Sequence, residues 1–198
     1  MDIAEKIRIL FSIRDDGHMK NHMSYLNPKD PSTIPMKIVS IATSRKKGTR
    51  KQCVDSAELI ADHGLSADAH AGRWHRQVSF LAAESIENAR ERGLTVDFGD
   101  FAENIATTGI DWPRVPIGTR FRLGKAAVIE ITQIGKECKN KCAIYYQAGD
   151  CIMPREGVFA RVLTGGVIHT GDAIEIVAAT GGSAKKHRVS AEQPGKKP

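Results

Sequence analysis

The 198-residue chain has no stretch approaching the roughly 20 consecutive apolar residues that a membrane-spanning helix requires. Its N-terminus, Met-Asp-Ile-Ala-Glu-Lys-Ile-Arg-Ile-Leu-Phe, mixes charges into its apolar residues and so lacks the continuous core of a signal peptide. There is no Gly-x-x-x-x-Gly-Lys phosphate loop, no Rossmann fingerprint and no internal repeat. Cysteine is scarce, at four residues. The expectation is a cytoplasmic globular protein in which structural disulfides have no place.

The net charge of +6 suggests nucleic-acid binding, but its distribution argues against it. The segment Ala178–Pro198 carries five basic residues and one acid, so it accounts for four of the six charges. It is also rich in Gly, Ser, Pro and Ala and reads as a disordered basic tail over 179–198. Residues 1–35 read as an extension. Ile3, Ile7, Leu10 and Phe11 fall on one helical face, followed by a linker with Gly17, Pro28, Pro31 and Pro35.

The main domain is predicted over 36–178. Lys37–Thr43, Ala57–Ala61, Val78–Leu81, Thr119–Leu123, Val158–Leu163 and Ala173–Val177 read as short strands. Ala127, Ile129 and Ile131 alternate with Val128, Glu130 and Thr132, as a half-buried strand requires. One helix is predicted over Ala82–Arg92, with Glu84 and Glu87 early, basic residues at its end and a stop at Gly93. Many short strands between Gly and Pro turns, with few peripheral helices, predict a mainly β fold, a β-barrel.

The chemistry is expected where cysteines cluster. Cys138, Cys142 and Cys151 lie within fourteen residues, beside Lys136, Lys139 and Lys141, which favour a thiolate. Such a thiolate can carry sulfane sulfur as a persulfide or ligate a soft metal. The three cysteines with His70, His75 or His169 would also make a four-ligand zinc set, or hold an iron–sulfur centre, although C-x3-C-x8-C is not a standard finger spacing. An anion site is suggested by Gly72-Arg73-Trp74-His75-Arg76, where Arg73 and Arg76 can grip phosphate and Trp74 can stack on a flat heterocycle. The other reading of this segment is a surface loop with solvated charges and a half-buried Trp74. Asp68 and His70 can pair. Asn104 can read a heterocycle edge or tie a loop. Arg161, on an apolar strand face, needs an anion or a carboxylate such as Asp68 or Asp172. Gly165-Gly166 and Gly171-Asp172 read as turns.

These motifs, in their order, resemble the MOSC domain, the module named for the C-terminal part of molybdenum-cofactor sulfurases. The matching residues are Gly64-Leu65-Ser66-Ala67-Asp68-Ala69-His70, Arg76-Gln77-Val78, Phe101-Ala102-Glu103-Asn104-Ile105, Ile117-Gly118, Gly124, the Cys138 segment, Gly157–Leu163, Gly165-Gly166 and Gly171-Asp172. The resemblance implies a β-barrel that binds a molybdenum–pterin cofactor or carries sulfur on Cys138, which is also the metal ligand it implies. Asp68, His70, Arg73, Arg76, Asn104 and Arg161 would contact the cofactor, and Cys142 and Cys151 would assist as resolving thiols. The chain departs from the family with Ala67 where Gly is common, and with Glu137 where Pro is common. An enzyme of this type would be a sulfurtransferase or the component of a molybdenum-dependent reductase. Its partners would be a cysteine desulfurase or a reductase and a molybdoenzyme acceptor, with any pyridoxal phosphate on the desulfurase. The other reading is a non-catalytic carrier or adaptor that docks through the N-terminal helix.

Overall fold

The computed structural model describes residues 34–138, 145–146 and 149–178. The predicted N-terminal helix, the basic tail and Cys142 lie outside the described residues. Strand β1 is Lys37–Thr43, β2 Gln52–Val54, β3 Ser56–Ile60, β4 Gly64–Leu65 and β5 Val78–Ala82. After helix α1 (Ala83–Glu91) come β6 (Ile105–Thr108), a 3-10 turn at Trp112–Arg114, β7 (Arg120–Leu123) and β8 (Ala127–Ile134). Helix α2 (Met153–Glu156), β9 (Val158–Thr164), β10 (Gly166–His169) and β11 (Ile174–Ala178) complete the order.

Eight strands form one mixed sheet, ordered β11-β7-β8-β9-β5-β6-β1-β2, and β10-β3-β4 form a second. Among the described residues, only the β5–β6 pair is parallel. α1 lies between these two strands in the chain, as a crossover between parallel neighbours requires. Among the described residues the fold is mainly β, with short helices at α1 and α2, as expected, but no closed barrel is found. The ladder runs from β11 to β2, and the start of β1 also meets the approach of β11 through an antiparallel bridge, Lys37 to Ala173. Backbone hydrogen bonds flank it, from Ile38 N–H to the Asp172 carbonyl at 2.9 Å, from Gly171 N–H to the Ile38 carbonyl at 2.8 Å and from Ile174 N–H to the Met36 carbonyl at 2.9 Å. This contact involves only the first residues of β1 and does not extend into a named strand pairing between β1 and β11.

The alternation read in β8 holds: Ala127, Ile129 and Ile131 are buried while their neighbours are half-exposed. They pack with Phe80, Trp112 and Phe121 in the main core. Trp112 has ring contacts with both phenylalanines and donates its Nε1–H to Thr107 Oγ1 at 2.9 Å. β5 is buried on both faces. Val78 and Phe80 point to this core, and Leu81 points to a second one with Ile86, Phe101 and Phe159. This second core sits beneath the site. Gly166, read as part of a turn, instead begins β10, which pairs with β3 in the second sheet.

The segment from Gly99 to Asn104, which enters β6, is fixed by backbone contact with Lys51. Gly99 has φ +87°, and a Cβ there would lie 2.6 Å from the Lys51 carbonyl oxygen. Both the left-handed backbone and the close approach therefore exclude a side chain. Gly99→Ala is expected to lower stability by about 2 kcal/mol or more in urea unfolding; an unchanged midpoint and slope would show that this contact does not constrain the fold.

Candidate functional site

A cleft opens where β5, the 99–104 segment, the end of β8 and α2 converge. His70, Trp74, Arg76, Asn104, Lys136 and Phe159 are among its lining residues, and no carboxylate lines it. Its volume is about 160 Å³. Sites that engulf a drug-sized ligand run to roughly 300–1,000 Å³. A ligand as large as a pterin would therefore lie partly outside.

Arg76 follows the sharp Gly72–His75 loop and precedes β5, so its side chain enters the cleft beside the strand. Its guanidinium lies 4.8 Å from the Trp74 ring centroid and 5.6 Å from that of Phe159. Trp74 is itself held by an Nε1–H bond to the His70 carbonyl at 2.9 Å. The Arg76 Nε is buried and has no hydrogen-bond partner among the described residues, and no carboxylate pairs with the guanidinium. A buried donor left unmatched is costly unless something accepts from it. Lys136 brings a second cation to the rim, its backbone N–H held by the Pro154 carbonyl at 3.1 Å.

Behind the cleft lies a buried charge cluster. Lys51, the last residue before β2, has a fully buried side chain that pairs with Asp68. Asp68 also accepts from the backbone N–H groups of Ser44 at 3.0 Å and His70 at 2.9 Å. Burial alone would raise the Asp68 pKa. The contacts with His70 and Lys51 outweigh it and hold the carboxyl well below the usual carboxylate range. Burial lowers the Lys51 pKa, against the opposing pull of Asp68 and Glu103.

Glu103 is the other buried acid. Burial pushes its carboxyl up to about 7, and the charge of Asp100 adds to this, although a hydrogen bond from Gly99 N–H opposes both. Its second oxygen has no partner among the described residues. Asn104 is committed to structure. Its Oδ1 accepts from Ser79 N–H at 3.1 Å and Ser79 Oγ at 2.9 Å, and its Nδ2 donates to the Ala42 carbonyl at 3.2 Å. Of the two readings of this amide, tying a loop is the one these bonds satisfy.

Of the residues singled out from sequence, His70, Arg76 and Asn104 line the cleft and Asp68 lies just behind it. Arg73 is outside, with its exposed guanidinium 3.4 Å from Asp62. Arg161 is outside as well. It pairs with Glu130, directly opposite on β8, at 2.8 Å, so neither an anion nor Asp68 or Asp172 is needed to balance it. Asp172 instead accepts from His169 N–H at 2.8 Å. Cys138 is exposed, two residues beyond Lys136, whereas Cys151 is buried among apolar residues of the second core. Among the described residues, no three His, Cys, Asp or Glu side chains are grouped to hold a metal. His75 is bonded to Gln133 at 2.9 Å.

Sequence reasoning missed Lys51 and Phe159 as parts of the site and read Glu103 only as a motif neighbour. Lys51 sits in a run of basic residues, Arg45-Lys46-Lys47-Gly48-Thr49-Arg50-Lys51, which reads as a solvated loop. Nothing in that run distinguishes the one lysine that is buried.

Residues 67–175 match the sequence model of the MOSC domain, more than half of the chain, and the chain belongs to this family. MOSC domains occur in proteins connected with the molybdenum cofactor. The fold is similar to that of YiiM from Geobacillus stearothermophilus, at 22% identity over 73% of this chain and 76% of that one, with a TM-score of 0.58. YiiM from Escherichia coli is similar at 23% identity, 74% and 72% coverage and a TM-score of 0.54. The YuaD protein from Bacillus subtilis shares 16% identity over 71% of this chain and 94% of its own, with a TM-score of 0.58. No curated protein sequence matches. No helix among the described residues is long and apolar enough to cross a membrane.

The Glu103 environment predicts a pH dependence with a definite sign. From its ordinary value of 4.5 up to about 7, the carboxyl is ionised in the unfolded chain but protonated in the folded one. The unfolded state then binds fewer protons, so this group's contribution is complete below pH 4.5 and is lost as pH rises through 7. The loss amounts to about 3 kcal/mol. Asp68 acts in the opposite sense and only at lower pH, where its depressed carboxyl takes up a proton. Urea unfolding from pH 4.5 to 7 should show a declining stability in the wild type that is flattened in Glu103→Gln, and equal slopes in the two proteins would refute the assignment.

Proposed function

We propose that the cleft binds the anionic, heteroaromatic part of a molybdenum–pterin cofactor, with Cys138 as the working thiolate at its rim. The observation that carries this reading is Arg76, a cation with a buried, unpartnered Nε, held between two aromatic rings in a cleft without a carboxylate. The fit to such a cofactor can be judged from its chemistry. A phosphate suits Arg76 and Lys136, and a flat ring suits the partly exposed face of Trp74. A soft metal suits an exposed thiolate. Cys138 is two residues from Lys136, which keeps their backbones within about 7 Å. When bound, the cofactor would supply the metal centre for reduction or sulfur chemistry.

The residues of this chain would bind and orient. Arg76 and Lys136 neutralise the ligand, Trp74 and Phe159 position the guanidinium through their ring faces, and Asn104 holds the 101–104 wall against β5. If Cys138 carries sulfur, its thiolate attacks the sulfane sulfur of a partner cysteine desulfurase persulfide. A new S–S bond forms at Cys138 and the partner thiolate leaves. The pyridoxal phosphate of that chemistry belongs to the partner. A molybdoenzyme acceptor or a reductase would complete the system. Cys151, in its apolar surroundings, is a core thiol in this reading, and Cys142 lies outside the described residues.

The test is metal and pterin analysis, with intact mass, of protein purified without reductant. A molybdenum–pterin complement, or an adduct of about 32 Da, is expected in the wild type and should be lost in Cys138→Ala. Retained pterin in that variant would favour a carrier that does not use the thiol. Arg76→Met should weaken binding of inorganic phosphate or the pterin by about tenfold or more. Unchanged binding would overturn the cleft assignment.

A further inference from the structure

The buried lysine behind the cleft has two neighbours on its open side. Asp68 Oδ2 accepts one N–H of the Lys51 ammonium, and His70 Nδ1 lies 3.5 Å away. An ammonium has three donors and no acceptor, and burial makes each unused donor expensive. Asp68 Oδ1 also lies 3.4 Å from His70 Nδ1 and accepts His70's own backbone N–H at 2.9 Å. A carboxylate oxygen can take a second bond, so an Nδ1–H donated to Asp68 is the competing arrangement. The Glu103 carboxylate is beyond ion-pair distance of Lys51. Beside Asp68, the acceptor within reach of the Lys51 ammonium among the described residues is His70 Nδ1.

We infer that Lys51 is a positioning residue: by donating to His70 Nδ1 it places the imidazole proton on Nε2, facing the cleft, as a third donor for the anion. The two nitrogens of a neutral imidazole divide one proton, and the hydrogen bond at one nitrogen decides the role of the other. Nothing among the described residues is bonded to His70 Nε2. His70 lines the same cleft as Arg76 and Lys136. Around it the side-chain acceptors are already used, since Asn104 Oδ1 takes both Ser79 donors. The cleft thus presents donors to its ligand, and the matching ligand class is an acceptor-rich oxyanion, a phosphate ester or sulfate group. This assignment rests on the anion reading of the cleft for its purpose, although the tautomer itself does not depend on any ligand.

The experiment is 15N–1H long-range NMR of histidine-labelled full-length protein, above the ordinary imidazole range. The assigned His70 ring should show the Nε2–H tautomer in the wild type without ligand. An Nδ1–H tautomer, held by Asp68, would overturn the inference while leaving the anion reading intact. Lys51→Met should shift His70 toward Nδ1–H and weaken inorganic phosphate binding about tenfold. A folded variant that keeps Nε2–H would also overturn it. If Lys51→Met does not fold, the wild-type spectrum alone decides. Phosphate that fails to bind the wild type at all would defeat the anion reading, whichever tautomer is found.

Discussion

A buried ammonium and a buried carboxylate, Lys51 and Asp68, meet beneath the cleft with side chains almost fully removed from water. Desolvating both charges costs free energy that their attraction only partly returns, so the pair is weak evidence for net stability. Its consequence is geometric. Removing either partner leaves an uncompensated buried charge, a loss of roughly 3–5 kcal/mol. The backbone must therefore keep the start of β2 and the turn after β4 together. Asp68 collects Ser44 N–H and His70 N–H, Gly99 packs on the Lys51 carbonyl, and Gly99 in turn donates to Glu103. Three chain segments distant in sequence are thereby set around one corner of the sheet.

That corner supports the wall of the site. β5, buried on both faces, gives the cleft a stiff floor, and Asn104 fastens the adjoining segment to it through Ser79. Ala102, between Phe101 and Glu103, is held at φ +63°, an uncommon backbone for a residue with a side chain. Against this rigid support the cations Arg76 and Lys136 have no carboxylate partner among the described residues. Elsewhere arginines are neutralised locally: Arg73 by Asp62, Arg120 and Arg161 by Glu130, and Arg122 by Glu175. The contrast separates the cleft arginine from the structural ones, since a positive field left unbalanced in a recess is what an anion would complete.

How much of this was legible in the chain differs from element to element. The period-two pattern of β8 and the helix ending at Gly93 were legible because side-chain direction in a regular element follows from spacing alone. The same locality made Arg76 beside Trp74 visible as a grip for an anion, since both lie in one short loop. The order of the short motifs was enough to indicate the MOSC family. Short strands such as β4 and β10 were not legible. Two to four residues carry too little pattern, and their pairing depends on partners far along the chain.

By itself, then, the sequence determined the mainly β character, the family and the local pairing of Arg76 with Trp74. These depend on composition, spacing and immediate neighbours. Only the tertiary structure decided which charges are balanced. Arg161 and Arg76 look alike in sequence, yet one faces Glu130 across a strand register and the other faces an open cleft. Lys51 looks like its basic neighbours, yet it alone is folded inward onto Asp68. Burial and pairing are set by contacts between segments tens of residues apart. Whether the sheet closes is likewise a property of where distant segments meet, and here residues 36–38 meet residues 171–174 over a few backbone hydrogen bonds only.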